Sequence, residues 1–296
     1  MTAALPIVRT RFAPSPTGLL HLGHAHAALF AWHQAEAAGG ECLLRMEDID
    51  FGRCRPEFEI AIKEDLAWLG LSWPEPVRRQ SDHMADYKTV LDRLSAQGLL
   101  YPCFCTRRDI AEEIARSGAA PHLTPMGPDG PLYPGICRTL SLDERAARIA
   151  VGVPYALRLD VTKAMARTGP LHWHDRRHGT FVATPEIHGD AVLARKDVTT
   201  SYHLSVVVDD ALQDVTLVTR GEDLLPATHL HRLLQALLGL PTPDYHHHAL
   251  LTDEAGRRLA KRDNARSLRS LREAGLSSDT VRAMAWNSGE IDIILR

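Results

Sequence analysis

The spacing of apolar and polar positions switches between two periods along the first hundred residues. Residues 7–12 read as a short strand running into the loop Ala13-Pro14-Ser15-Pro16-Thr17-Gly18, whose prolines and glycine rule out regular structure. Residues 21–38 turn helical and stop at Gly39-Gly40, a strong termination signal. Residues 41–46 form a second strand, followed by Glu47-Asp48-Ile49-Asp50, and helices are expected over 56–69 and 83–97. Strands alternating with helices predict an α/β domain built on a parallel sheet.

From residue 101 to about 189 this alternation breaks. The segment is rich in loops, with a proline- and glycine-bearing stretch at 121–134, and reads as an inserted domain. The α/β pattern resumes with a strand at 191–195, a helix at 201–212, a strand at 215–220, a helix at 226–238 and a strand at 245–251. After Ala265 there is room for two short helices. The expected division is 1–100 and 190–265 as two halves of one domain, 101–189 as the insert and 266–296 as a helical C-terminal segment. A chain of 296 residues fits this arrangement of roughly two domains of about 150 residues each.

Composition adds little until it is localised. Apolar residues at 45% and charged residues at 24% are those of an ordinary globular protein. Eighteen consecutive apolar residues occur nowhere, and residues 1–10 lack a signal-peptide pattern, so a cytoplasmic protein with no membrane partner is expected. A monomer is also expected. The net charge of -3 does not suggest a nucleic-acid binder, but Arg257, Arg258, Lys261, Arg262, Arg266, Arg269 and Arg272 crowd one segment. That cluster suits phosphate contacts, although a solvated helix face would look the same.

The most informative stretch is Arg11-Phe12-Ala13-Pro14-Ser15-Pro16-Thr17-Gly18-Leu19-Leu20-His21-Leu22-Gly23-His24. A strand passes through a rigid loop into a helix N-terminus, where backbone amides and the helix dipole favour negative charge. Gly23 permits close approach of a nucleotide. His21 and His24 share a helix face and can donate to phosphate oxygens. A lone His-x-Gly-His would be weak; the complete segment is specific.

This segment resembles the first signature of class I aminoacyl-tRNA synthetases, in the form used by the glutamyl and glutaminyl branch. Arg258-Leu259-Ala260-Lys261-Arg262 is similar to the second, Lys-Met-Ser-Lys-Ser signature, with Lys261 at the phosphate-binding lysine. Arg258 keeps the charge of the first lysine, whereas Ala260 lacks the serine hydroxyl. Leu44-Arg45-Met46-Glu47-Asp48-Ile49-Asp50, Ser201-Tyr202-His203-Leu204 through Val208-Asp209-Asp210, and Val218-Thr219-Arg220-Gly221-Glu222-Asp223 resemble further family segments. The resemblance implies a Rossmann-like parallel-sheet catalytic domain with an inserted, zinc-binding α+β domain. It implies catalytic roles for His21, His24 and Lys261, and ATP contacts from Pro14, Thr17, Gly18, His21, Gly23, His24, Arg258 and Lys261. Arg11, Ser15, Glu47, Tyr202 and Arg220 would bind glutamate. The chemistry agrees, since glutamate's two carboxylates and one ammonium call for forked arginines and a carboxylate.

Five cysteines in a chain without a secretion signal argue against a disulfide framework. Cys103, Cys105 and Cys137 leave a closed zinc site one ligand short. Tyr133 is a candidate fourth ligand, with His122 as a fallback and free buried thiols as the alternative. Cys-x-Cys followed by Tyr-x3-Cys is similar to the pattern of a short glutamyl-synthetase paralogue with structural zinc, although the gap before Tyr133 is longer here. His246-His247-His248 lies in an expected strand, where neighbours face opposite ways, so it is not read as a metal site.

That paralogue also matches in length and in Arg220-Gly221-Glu222-Asp223. The resemblance therefore implies that L-glutamate is activated with Mg²⁺ and ATP, then esterified onto the cyclopentene diol of queuosine in the tRNA(Asp) anticodon loop, without an anticodon-binding domain. Three alternatives are a truncated synthetase charging a tRNA 3′ end, a nucleotidylyltransferase, and a non-catalytic tRNA-binding protein.

Overall fold

The computed structural model describes residues 7–116, 126–251 and 266–286. Its central feature is a parallel sheet in two ladders. In the first, β1 (Arg9–Phe12) pairs with β2 (Glu41–Met46), and β2 with β3 (Arg78–Arg79). The helices α1 (Leu22–Ala37), α2 (Pro56–Trp68) and α3 (Met84–Ala96) supply the crossovers and cover. Gly40 turns α1 back into β2 where a Cβ would lie 1.8 Å from the Val8 carbonyl oxygen, so no side chain fits there.

Next along the chain come β4 (Leu100–Cys103), α4 (Arg107–Arg116), the small hairpin β5 (Met126–Gly127) and β6 (Gly130–Pro131), α5 (Leu142–Ala150), β7 (Ala156–Leu159) and α6 (Val161–Thr168). They are followed by β8 (His172–Asp175), β9 (Gly179–Val182), β10 (Val192–Ala194), α7 (Tyr202–Leu212), β11 (Leu217–Gly221), α8 (Ala227–Leu238) and β12 (Asp244–His248). In the second ladder β11 runs parallel to β12, β12 parallel to β8, and β8 antiparallel to β9. The two ladders abut at β1 and β11, where the Thr216 N–H donates to the Arg9 carbonyl at 3.0 Å. The chain thus winds outward in both directions from β1 and β11, and a crevice opens beyond their C-terminal ends.

Two pairings differ from the sequence-based division. The strand expected at 191–195 forms, as β10, but it joins β7 and β4 in a separate antiparallel sheet. Conversely β8 and β9, within 101–189, extend the main sheet beyond β12. Aromatic packing explains the latter, because Trp173 stacks on Phe181 with ring centroids 4.3 Å apart and meets Tyr245 of β12 edge-on at 5.5 Å. The short helices α9 (Leu268–Glu273) and α10 (Ser278–Trp286) return to the first half of the sheet. Leu268, Leu271, Val281 and Ala285 are buried in the same core as α1 and α2. No helix among the described residues is long and apolar enough to cross a membrane.

Candidate active site

The crevice beyond β1 and β11 is a cleft of about 470 Å³. Its floor begins with the proline-rich loop, held by the Glu47 N–H donating to Pro14 O at 3.1 Å and the Arg55 N–H donating to Pro16 O at 3.0 Å. The loop delivers His21 to the N-cap of α1. Here two imidazoles replace the usual Ser and Glu of a capping box: the Gly23 N–H donates to His21 Nδ1 at 3.1 Å, and the His21 N–H donates to His24 Nδ1 at 3.2 Å. An accepting Nδ1 must carry a lone pair, so the proton of each neutral ring sits on Nε2. The caps thereby turn both rings into Nε2–H donors, and both line the cleft.

The same cleft is also lined by Arg11, Ser15, Glu47, Tyr202 and Arg220. Arg11, 5% exposed, donates from Nε to Asp210 Oδ1 and from Nη1 to Thr219 O, both at 3.0 Å. Glu47 accepts from Arg45 Nη2 at 3.2 Å. Burial pushes the Glu47 carboxyl above its ordinary range, against the pull of Arg45 and Arg11. An ammonium group arriving beside it would favour the ionised form. Arg220 donates to the Tyr202 hydroxyl at 3.3 Å, and burial in turn raises the Tyr202 phenol. A buried acid, buried arginines and paired imidazole donors in one cleft suit a zwitterion carrying an extra carboxylate beside a polyphosphate.

The family model described as tRNA synthetases class I (E and Q), catalytic domain, matches residues 7–285. The chain belongs to this family. It is an enzyme of the aminoacyl-tRNA ligase type, and membership implies ATP taken with Mg²⁺. Among its relatives, the Glutamyl-Q tRNA(Asp) synthetase of Rhodobacter capsulatus is 52% identical over 93% of this chain and 98% of its own length. That of Nocardia farcinica is 44% identical over 94% and 83%. The glutamate--tRNA ligase 2 of Acidithiobacillus ferrooxidans is 40% identical over 93% of this chain but 56% of its own length. A glutamate tRNA ligase from Elizabethkingia meningosepticum, crystallised with its amino acid, superposes with a TM-score of 0.79 at 27% identity. The match covers 95% of this chain and 61% of that one, so the present chain spans about three fifths of that enzyme.

The synthetase brings ten of the residues singled out from sequence into one cleft: Arg11, Pro14, Ser15, Thr17, His21, Gly23, His24, Glu47, Tyr202 and Arg220. Gly18 is in the same loop but is not part of the lining. Arg258, Lys261 and the alternative zinc ligand His122 lie outside the described residues. What sequence reasoning missed is the support beneath the cleft. Arg45, fully buried, donates from Nη1 to Asp210 Oδ1 at 2.8 Å, and Arg78 donates to Asp209 Oδ1 at 2.8 Å. Burial alone would raise the Asp210 carboxyl, but Arg11 and Arg45 outweigh it and hold the group below its usual range. The available signal was charge inside apolar runs, Arg45 within Glu41–Met46 and Asp209-Asp210 after three valines.

Away from the cleft, the sulfurs of Cys103, Cys105 and Cys137 lie within 4.8 Å of one another. Gly135, at φ +83°, makes the left-handed turn that returns Cys137 towards β4. Cys105 Sγ lies 3.4 Å from Cys137 Sγ and 3.5 Å from the Tyr133 hydroxyl, while the Phe104 N–H donates to Cys137 Sγ at 3.3 Å. Zinc–sulfur bonds of about 2.3 Å in a tetrahedron separate sulfurs by about 3.8 Å, so this donor set fits a zinc ion. The histidine triplet alternates as expected for a strand. His246 and His248 meet Phe30 at 4.8 and 5.1 Å, whereas His247 faces the opposite side, towards Arg220 and Asp175.

Proposed function

We propose that this synthetase activates L-glutamate with ATP and esterifies it onto the cyclopentene diol of queuosine in the anticodon loop of tRNA(Asp). The observation that carries the reading is the meeting of Glu47, Arg11 and Arg220 with the two capped histidines in one cleft. Support for the acceptor comes from relatives named Glutamyl-Q tRNA(Asp) synthetase, matched over 98% and 83% of their own length.

In this reading Glu47 receives the substrate ammonium, and Arg11 and Arg220 receive the side-chain carboxylate with help from Ser15 and Tyr202. An α-carboxylate oxygen then attacks the α-phosphorus of ATP, and pyrophosphate leaves. His21 and His24 donate from Nε2–H to phosphate oxygens as charge moves onto the leaving group, and Lys261 and Arg258 add positive charge from the second signature. Pro14, Thr17, Gly18 and Gly23 form the backbone cradle for the nucleotide. In the second step a diol hydroxyl attacks the adenylate carbonyl, AMP leaves, and the hydroxyl proton passes to solvent. Residues 1–100 and 190–265 would carry this chemistry, joined in the main sheet by β8 and β9 of the 101–189 insert, whose own sheet takes in β10, with 266–296 as a helical segment. Cys103, Cys105, Tyr133 and Cys137 would hold one structural Zn²⁺, which ties β4 to the turn at Gly135 and takes no part in either step.

The decisive experiment offers purified enzyme labelled glutamate, ATP and two tRNA pools, one from normal cells and one from cells unable to make queuosine. Label confined to the queuosine-containing pool is expected. Equal label in both pools would overturn the acceptor and favour 3′-end charging. In glutamate-dependent pyrophosphate exchange, His24→Ala should lower the rate at least tenfold, the scale of one lost donor to a charged transition state. An unchanged rate would remove His24 from the phosphate site.

A further inference from the structure

Arg220 differs from the other buried arginines around the cleft. Arg11, Arg45 and Arg78 each contact at least one carboxylate directly. Arg220 is 6% exposed and forms no ion pair among the described residues. Its donors go instead to uncharged acceptors: Nε to His247 Nε2 at 3.1 Å, Nη1 to His231 Nδ1 at 3.2 Å and to the Tyr202 hydroxyl, and Nη2 to Thr228 Oγ1.

A guanidinium can only donate, so its partners fix the proton positions of everything behind it. His247 must present a lone pair at Nε2, which places its proton on Nδ1. That proton goes to Asp175 Oδ2 at 2.7 Å. Asp175 also accepts from the backbone N–H groups of His247, Arg177 and His178, so its charge is spent on four donors one imidazole away from Arg220. His231 must present a lone pair at Nδ1, which places its proton on Nε2 and directs it to His203 Nδ1 at 3.1 Å. A neutral His203 in turn carries its proton on Nε2.

We propose that His231 and His247 are positioning residues which, with the Tyr202 and Thr228 hydroxyls, hold Arg220 through uncharged acceptors alone, leaving its positive charge to be met by the substrate, so that the cleft selects a side-chain carboxylate over a carboxamide. The inference rests on the assignment of Arg220 to the glutamate side chain. A carboxylate partner in place of either imidazole would satisfy the charge from within, and the advantage of an anionic substrate over its neutral amide would shrink. The opposite tautomers of the two rings, Nε2–H at His231 and Nδ1–H at His247, follow from the same geometry.

The test is pyrophosphate exchange with glutamate and with glutamine, using wild type, His231→Leu, His231→Gln and His231→Glu. Glutamine at 231 can accept from Arg220 and donate to His203, so it should keep the glutamate KM within about threefold of wild type. His231→Leu should raise that KM about tenfold or more with kcat and the ATP KM nearly unchanged, the signature of lost uniform binding. His231→Glu should raise the glutamate KM further and reduce the glutamate-to-glutamine discrimination by at least about tenfold. Wild-type KM and discrimination in both the Leu and Glu variants would overturn the relay while leaving glutamate activation intact. A wild-type enzyme that activates another amino acid and not glutamate would overturn both. Nitrogen NMR of the wild-type histidines reads the tautomers directly and does not depend on any variant folding. Equal tautomers at His231 and His247 would also overturn the proposal.

Discussion

Single residues here carry much of their meaning in where a proton sits. His21 and His24 are set as Nε2–H donors by their own helix cap, and His231 and His247 are set as opposite tautomers by one arginine. The buried rings also record a stability dependence. Burial pushes His203 and His247 down to about 4 from an ordinary 6.5. The folded chain therefore favours the neutral rings, while the unfolded chain takes up protons as the pH falls below 6.5. Stability from these groups is complete above about pH 6.5 and is lost as the pH falls towards 4, each unit of depression being worth about 1.4 kcal/mol. The thermal midpoint should drop by several degrees between pH 7 and pH 5. A flat profile across that window would mean that these rings are already solvated. The histidines were visible in the sequence, but their roles were not, because a tautomer depends on partners from other elements.

At the scale of elements, α7 shows how a hydrophobic pattern can hide an electrostatic function. Its valines bury it against α3 and α8, and the same burial carries Asp209 and Asp210 beneath the cleft. Asp209 is fully buried and accepts from Arg78 Nε and Gln80 Nε2 at 2.8 Å and from the Tyr87 hydroxyl at 2.9 Å. These partners come from β3, α3 and the turn between them, so one carboxylate pins three segments to α7. Asp209→Asn leaves Arg78 and Arg45 with less counter-charge and should destabilise the fold by about 3 kcal/mol. Urea unfolding should show a lower midpoint with an unchanged slope; an unshifted midpoint would show the network to be dispensable. The helix itself was legible from spacing. Its charged underside was not interpretable alone, since Asp-Asp late in a helix is also what an exposed end would show.

Across the whole molecule, two large apolar cores flank the sheet, and the cysteine cluster forms a small separate one with Tyr101 and Phe104. That small core has few apolar side chains to hold it, which is where a structural metal adds most. Protein purified without chelators should carry about one zinc per chain by elemental analysis, and Cys137→Ser should lose it. Because these cysteines do not line the cleft, glutamate-dependent exchange should survive in the variant at moderate temperature while its thermal midpoint falls. Metal-free wild-type protein of undiminished stability would end the zinc assignment.

The sequence by itself determined the elements near the cleft and pointed to ten of the residues that line it. Residues 41–46 form the second strand as read, and the helices expected at 21–38, 56–69 and 83–97 fall within a residue or two of α1, α2 and α3. Local period, proline and glycine decide such features, and the first signature is contiguous in the chain. Only the tertiary structure decided which strands pair, since a four-residue strand carries no label for its partner. It sent β10 to β7 and β8 to β12 through contacts with distant aromatic and apolar residues. It likewise decided which charges compensate one another: Asp210 answers Arg11 across 199 residues of chain, while Arg220 is left to imidazoles and hydroxyls. Electrostatic roles depend on distance and burial in space, and neither quantity is written in the order of residues.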